Sequence, residues 1–114
     1  LSDSKLINGI NLIISELDAS PKVLRDISFQ LFKKNKSTFV FFSSIVGEKL
    51  ILNLGLSEDL IMNKGWDASE LIQDFSKSIG GSGGGQSFFA VASSEQLNKV
   101  NIVFKNVISF LEKS

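Results

Sequence analysis

The first apolar segment of the chain, residues 7–17, alternates imperfectly between apolar and polar positions. Ile10, Leu12 and Ile14 share one face of this segment. Because side chains of an extended chain point to opposite faces in turn, the spacing predicts a β-strand with one buried face. The alternation ends at Leu17, before residues that follow a different period.

A helix is predicted to follow, beginning at Pro21. Ser20 is a favourable N-cap residue, and proline is favourable at the first helical position, where its missing N–H leaves no bond unmade. Lys33 and Lys34 lie in the expected last turn, where positive charge interacts favourably with the helix dipole. The apolar positions recur at helical spacing: Leu24, Ile27 and Leu31.

Two further strands are predicted on either side of Gly47, and together they indicate a hairpin. Residues 38–45 are rich in phenylalanine and β-branched residues and are apolar on both faces, as expected of a central strand. Residues 50–56 alternate leucine with Ile51, Asn53 and Gly55, so one face of this strand is predicted to be the better buried.

A longer helix is predicted to begin after a short helical turn at residues 57–62. Asp67, followed by Glu70 three residues later, is a capping-box pattern that predicts the start of this helix. Gly80 is expected to end it, because glycine readily adopts the left-handed conformation of a helix C-terminus. The apolar stripe of this helix consists of Leu71, Ile72, Phe75 and Ile79.

The last two predicted elements are a short apolar strand at residues 87–92 and a helix. Ser93 and Gln96 form a second capping-box pattern, which predicts that this helix begins there. Its apolar positions are Leu97, Val100, Phe104, Val107, Ile108 and Leu111. The order strand, helix, two strands, helix, strand, helix predicts one α/β domain over residues 1–114, with a mixed β-sheet and packed helices.

The composition supports one folded domain and excludes several kinds of site. The 114 residues are 43% hydrophobic and 21% charged, which suffices for one core. The sequence has neither cysteine nor histidine, which excludes disulfides, the usual zinc sites and triads that need imidazole or thiol. Lack of cysteine suits a reducing compartment, so a cytoplasmic location is expected, and no apolar run approaches the roughly 20 residues of a membrane span. Because the chain begins at Leu1 without an initiator methionine, we expect it to be part of a longer protein.

The charge balance argues against a strongly cationic nucleic-acid-binding protein. Twelve basic and twelve acidic residues cancel, whereas such proteins usually carry a surplus of lysine and arginine. Lys33, Lys34 and Lys36 form a small basic cluster, which a solvated helix terminus explains without a function. Any contact with RNA is therefore expected to involve a local patch.

Residues 80–85, with five glycines in six positions, are poorly explained by folding alone. Since glycine loses the most backbone entropy on ordering, the segment is either a flexible linker or an ordered loop with an unusual backbone. We predict an ordered loop with several positive φ angles. A nucleotide-binding loop is excluded, because Gln86 and Ser87 stand where a P-loop needs Lys and Ser or Thr. The glycine spacing also fails the dinucleotide pattern, and a helix precedes these glycines instead of following them.

One motif leads into the predicted long helix, and a second motif follows it. Residues 64–71 read KGWDASEL and residues 80–92 read GGSGGGQSFFAVA. The second resembles the Gly-Gly-x-Gly-Gly-Gly…Ala-x-Ala signature of the DHH-associated domain at the end of alanyl-tRNA synthetase, and the first is similar to that family's entry into the preceding helix. The resemblance covers nearly the whole chain. Many relatives carry Arg where Gln86 stands, so a phosphate-pairing group is missing here.

The resemblance implies a non-catalytic module of an ATP-dependent alanine–tRNA ligase. Such a module contacts the outer corner of tRNA, helps the aminoacylation and editing domains share one tRNA, and can contribute to a homodimer. It implies ATP, magnesium and an editing-domain zinc for the parent enzyme, and no cofactor in this domain. Glycine presents a side-chain-free surface to a sugar-phosphate backbone, and nearby lysines can pair with phosphates. The expected RNA-binding residues are Gly80, Gly81, Gly83, Gly84, Gly85, Gln86, Lys64 and Lys77.

Two other functions stay open. One is the substrate-binding domain of a DHH-family phosphodiesterase, a subfamily that typically places His after its glycines, where this chain has Gln86. The other is a module for dimerisation alone, with an exposed apolar edge and no RNA. Trp66 and the strand phenylalanines, including Phe88, are expected to be mainly core residues, which favours neither alternative.

Overall fold

Six β-strands and four α-helices make up the computed structural model, which describes residues 4–114. The strands are β1 (Ser4–Ile7), β2 (Ile10–Glu16), β3 (Thr38–Val46), β4 (Lys49–Leu56), β5 (Ser82–Gly85) and β6 (Phe89–Ser94). The helices are α1 (Pro21–Lys34), α2 (Glu58–Lys64), α3 (Ala68–Lys77) and α4 (Val100–Glu112), with a 3₁₀ turn at Leu97–Lys99. The strands form one sheet in the order β1-β2-β3-β4-β6-β5.

The sheet is mixed, because β2 and β3 are parallel and the other neighbouring strands are antiparallel. Helix α1 joins the two parallel strands, as such a pair needs a crossover. Strands β3 and β4 form the predicted hairpin around Gly47, whose φ is +63°. The architecture confirms the predicted α/β fold with a mixed sheet and packed helices. Within residues 4–114, no helix combines the length and apolarity needed to cross a bilayer.

Helices cover both faces of the sheet and bury two apolar clusters. On one face, α3 and α4 enclose Phe41, whose ring centroid lies 6.1 Å from that of Phe75 and 5.8 Å from that of Phe104. On the other face, α1 packs against Val40 and Phe42. Burial of each such side chain contributes about 1.5–3 kcal/mol relative to exposure. The largest fully buried side chains of the strands are Leu12, Phe39, Phe41, Phe42, Leu50, Leu52, Leu54 and Leu56.

The N-termini of α1 and α3 form as predicted. Ser20 Oγ accepts a hydrogen bond from Val23 N at 3.4 Å, and Pro21 occupies the first helical turn. Asp67 accepts one from Ser69 N at 2.9 Å. These caps satisfy amide groups that have no partner within a helix, which stabilises each terminus by about 1 kcal/mol. Both predicted helix starts are therefore confirmed.

The strand predicted at residues 7–17 is confirmed over Ile10–Glu16 as β2, but its first residues belong to a turn and to a second strand. Strand β1 pairs with β2, and Asn8 and Gly9 form the two-residue turn with φ of +50° and +80°. An Asn-Gly pair favours such a turn because both residues tolerate positive φ. The Asn8 side chain also donates to the carbonyls of Leu111 and Glu112, at 2.9 and 2.8 Å, and so fastens the turn to the end of α4. The prediction of a continuous strand from residue 7 missed this turn.

The predicted start of the last helix was wrong. Ser93 and Ser94 still belong to β6, and helix α4 begins only at Val100, after the 3₁₀ turn at Leu97–Lys99. Ser94 Oγ donates to the Ile79 carbonyl at 2.7 Å and accepts from Gln96 N at 3.1 Å, while Gln96 Nε2 donates to the same carbonyl at 2.9 Å. The polar residues of the supposed capping box therefore connect the end of β6 to the end of α3.

Candidate nucleic-acid interface

The glycine-rich segment is an ordered edge strand. Strand β5 pairs antiparallel with β6, with Gly83 opposite Ala92 and Gly85 opposite Ala90. The flexible-linker interpretation is therefore wrong. An edge strand carries one row of backbone groups that no other strand occupies, which makes the outer side of β5 the place where a partner can approach the backbone.

Close approach to β6 explains three of the glycines. A Cβ atom at Gly83 would collide with the Val91 carbonyl oxygen, and one at Gly85 would lie 2.7 Å from the Phe89 carbonyl oxygen. The prediction of several positive φ angles was wrong, since Gly80 alone in residues 80–85 has a positive φ, of +66°. Gly80, the left-handed residue, lies at the end of α3, whereas Gly81, Gly83 and Gly85 are required by close contact with the backbone of β6.

Most amides of the segment bond within the fold. Gln86 N donates to the Phe89 carbonyl at 3.0 Å, and hydrogen-bonded pairs alternate along an antiparallel ladder, so Gly84 directs its N–H toward β6. Gly81 N donates to Ser76 O at 2.8 Å, and Gly85 N donates to Ser69 Oγ at 3.2 Å. By the same alternation Gly83 directs its N–H to the outer edge. Among the glycine amides of residues 80–85, that of Gly83 is therefore the one best placed to meet an external partner.

The two expected lysines lie at opposite ends of α3. The bonds from Gly85 to Ser69 and from Gly81 to Ser76 show that β5 runs antiparallel along this helix. Lys64 precedes the N-terminus of α3, and Lys77 is its last residue. A ten-residue helix is about 15 Å long. The lysines therefore flank the two ends of β5, and no single phosphate can contact both.

Each of these lysines lies beside a side chain of the domain itself, a carboxylate for Lys77 and an aromatic ring for Lys64. Lys77 lies 3.7 Å from Asp74 in an exposed ion pair, which contributes little in water. Lys64 Nζ lies 6.0 Å from the centre of the Trp66 ring. The Trp66 ring packs on Phe39 and Phe110, with centroids 6.2 and 5.0 Å away, as expected of a core residue.

The turn between β5 and β6, residues 86–88, is held from two sides. Ala68 N, at the start of α3, donates to the Ser87 carbonyl at 2.9 Å. On the α1 side, the Phe88 ring lies 5.6 Å from Phe29 and 5.5 Å from the guanidinium carbon of Arg25. Gln86 is exposed at this turn, which we name the hairpin tip. Arg25 was missed by sequence reasoning, although it is the single arginine of the chain and lies four residues before Phe29.

The chain is similar in sequence to a part of several alanine–tRNA ligases. The chain is 30% identical over 95% of its length to an alanine–tRNA ligase of Christiangramia forsetii, and 35% identical over 94% to one of Endomicrobium trichonymphae. It spans 12% of the length of each of these relatives.

Solved structures support the fold. The C-Ala domain of Aquifex aeolicus alanyl-tRNA synthetase superposes with a TM-score of 0.85 at 22% identity, covering 96% of this chain and 98% of that one. A DHH domain from a member of the s1p family of ribosomal proteins gives 0.62 at 18% identity, covering 93% of this chain and 27% of that one. The DHHA1 domain family matches residues 9–113, which include every helix and the whole β5–β6 hairpin. With that match over nearly its full length, the chain belongs to the DHHA1 domain family.

Proposed function

We propose that this chain is the tRNA-binding C-terminal module of an alanine–tRNA ligase. In this role it contacts the outer corner of tRNA and helps the aminoacylation and editing domains share one tRNA in the cytoplasm. The observation that carries the proposal is the glycine edge strand beside the hairpin tip, in a chain whose relatives are alanine–tRNA ligases. ATP, magnesium and zinc are assigned to other parts of the parent enzyme, and the module itself is proposed to be non-catalytic.

The chemistry of β5 favours recognition of RNA shape. Glycine offers no side chain to read base edges, whereas an outward amide and nearby cations can contact phosphate and sugar oxygens. Such contacts position a nucleic acid without specifying its sequence, and folded RNA is largely recognised by its shape. If the rest of the enzyme already holds the tRNA, this surface needs only to orient the molecule.

The charge of the chain predicts weak binding by the module alone. Its formal net charge is zero, and Gln86 stands at the position where the family resemblance implies an arginine. We expect about two or three phosphates to be neutralised, which gives a shallow dependence of affinity on salt. Tethering to the rest of the enzyme raises the local concentration to the order of millimolar, so weak contacts can still orient a bound tRNA.

The test is a titration of labelled tRNA into the 114-residue chain and into Gln86→Arg, at low and moderate salt. Gln86→Arg adds a phosphate-pairing group at the exposed tip, so binding is expected to strengthen several-fold and the salt slope to steepen by about 0.7–0.9. Asn101→Arg, which adds the same charge on the exposed side of α4, serves as the control. If neither protein binds tRNA at low salt and Gln86→Arg changes nothing, the proposal is wrong.

Dimerisation without RNA is the second candidate, and one observation favours it. Strand β1 lies at the opposite edge of the sheet, and its Leu6 is 77% exposed. Such an edge can pair with a second copy. Sedimentation of the chain and of Leu6→Lys decides this point: a dimer that Leu6→Lys dissociates, together with absent tRNA binding, favours this candidate over the first.

A further inference from the structure

The guanidinium of Arg25 lies over two phenylalanine rings beside the hairpin tip. Its guanidinium carbon lies 5.1 Å from the centre of the Phe29 ring and 5.5 Å from that of Phe88. The two rings lie 5.6 Å apart and come from different elements, α1 and the β5–β6 turn. Stacking of this kind attracts the cation to the ring faces and leaves the N–H edges of the guanidinium available.

Among the described residues 4–114, no acidic side chain forms an ion pair with Arg25. The helix neighbours three and four residues away are Pro21, Lys22, Ser28 and Phe29, none of which is acidic. Within residues 4–114 the ion pair that the structure contains joins Lys77 to Asp74 instead. The exposed guanidinium therefore presents a planar set of donors to solvent, in a geometry that matches two oxygens of a phosphate.

The two helices beside the hairpin tip carry opposite charge. Helix α1 has four cations, Lys22, Arg25, Lys33 and Lys34, against one anion, Asp26, which gives +3. Helix α3 with its cap has three anions, Asp67, Glu70 and Asp74, against one cation, Lys77, which gives −2. A polyanion at the tip is consequently attracted more strongly to the α1 side than to the α3 side.

We propose that Arg25, held on the Phe29–Phe88 platform, binds a phosphate of the RNA backbone and directs the RNA to the α1 side of the hairpin tip. The inference rests on the proposed function, and it adds a contact residue and a face to that function. A planar guanidinium with free N–H donors on a basic helix can bind two oxygens of a phosphodiester. Stacking on two rings fixes the orientation of this guanidinium before the RNA binds.

The first measurement compares Arg25→Ala with Lys105→Ala, which removes an equal charge from the exposed side of α4. The 114-residue chain is suitable because the similar C-Ala structure is an isolated domain of nearly the same extent. Arg25→Ala is expected to weaken binding of labelled tRNA about five- to tenfold, in line with one lost charged hydrogen-bonding group, and to reduce the salt slope by about 0.7–0.9. Lys105→Ala is expected to change affinity less than twofold. Arg25→Lys keeps the charge and loses the planar guanidinium. Its affinity for tRNA is expected to lie between those of Arg25→Ala and Lys105→Ala.

The second measurement observes the contact itself. Because Arg25 is the only arginine, the side-chain Nε–H signal of a ¹⁵N-labelled sample belongs to this residue without assignment. The signal is expected to shift and to saturate with tRNA. If tRNA binds while the signal stays unchanged and Arg25→Ala matches Lys105→Ala, this inference is wrong and the proposed function stands. If the unaltered chain binds no tRNA, both are wrong. A polyglutamate peptide that shifts the signal as strongly as tRNA overturns the choice of RNA as partner.

Discussion

Gly83 and Gly84 occupy neighbouring positions of β5 but face different surroundings. A Cβ at Gly83 would collide with the backbone of β6, whereas one at Gly84 would lie 3.4 Å from Ser69 Oγ and 3.6 Å from Gln73 Nε2, ordinary contact distances. The requirement for glycine in this segment therefore differs from residue to residue. Composition alone shows a glycine-rich stretch and cannot separate these cases.

The pair gives a matched prediction at the residue scale. Gly83→Ala is expected to destabilise the chain by about 1–3 kcal/mol, because β5 must move away from β6 to make room for the added carbon. Gly84→Ala is expected to change stability by less than about 0.5 kcal/mol. Urea unfolding of both variants measures this difference. Equal stabilities would show that the close approach of β5 to β6 is incorrect.

Asp59 connects two elements by accepting three kinds of hydrogen bond. Its carboxylate accepts from Ser37 N at 2.9 and 3.0 Å, from Ser37 Oγ at 2.7 Å and from Ser57 Oγ at 2.7 Å. Desolvation by burial acts to raise the pKa of Asp59, but the hydrogen bonds from Ser37 and Ser57 outweigh it and hold the pKa below its ordinary value of 3.8. The first turn of α2 is thereby fastened to the connection between α1 and β3.

This link predicts a pH dependence at the scale of elements. Because the folded pKa is lowered, the stabilisation is fully present above the unfolded value of about 3.8 and is lost as pH falls through the folded pKa. Asp59→Asn is expected to lower stability by about 1–3 kcal/mol near neutral pH and to flatten the acid limb of the stability curve. Glu58→Gln, at the exposed neighbouring position, is the control and should leave that limb unchanged. Parallel acid limbs for Asp59→Asn and the unaltered chain would contradict this account.

Sequence patterns predicted elements where local chemistry decides them. The Ser20-Pro21 start of α1 and the Asp67 cap of α3 depend on side chains within three residues, so they could be recognised. The Ser93–Gln96 pattern was misleading because Ser94 Oγ and Gln96 Nε2 both donate to the carbonyl of Ile79, a residue distant in sequence. The Asn8-Gly9 turn was visible as a hairpin signal, but the imperfect alternation around it predicted a continuous strand.

The candidate site was predictable only in part, for a similar reason. The glycines stand together in sequence, and their motif indicates their place. The stacking of Arg25 on Phe88 arises from tertiary packing of segments about 60 residues apart, which no local pattern reveals. The net charge of zero for the whole chain averages over a basic α1 and an acidic α3.

We propose that the domain as a whole presents one edge strand and one basic helix to a folded RNA. A sheet covered on both faces fixes the hairpin tip relative to α1, since β6 packs within the sheet and Phe88 contacts α1. We expect such a surface to prefer a folded RNA to a uniform helix, because its contacts would come from separate elements at fixed positions.

The most direct test is competition for the 114-residue chain between folded tRNA and a plain RNA duplex with the same total number of nucleotides, at equal low salt. Both ligands carry the same phosphate charge, so a purely electrostatic contact treats them alike. The account predicts that folded tRNA displaces the duplex at clearly lower concentration. Equal competition, or no binding of either RNA, would contradict shape recognition by the hairpin tip.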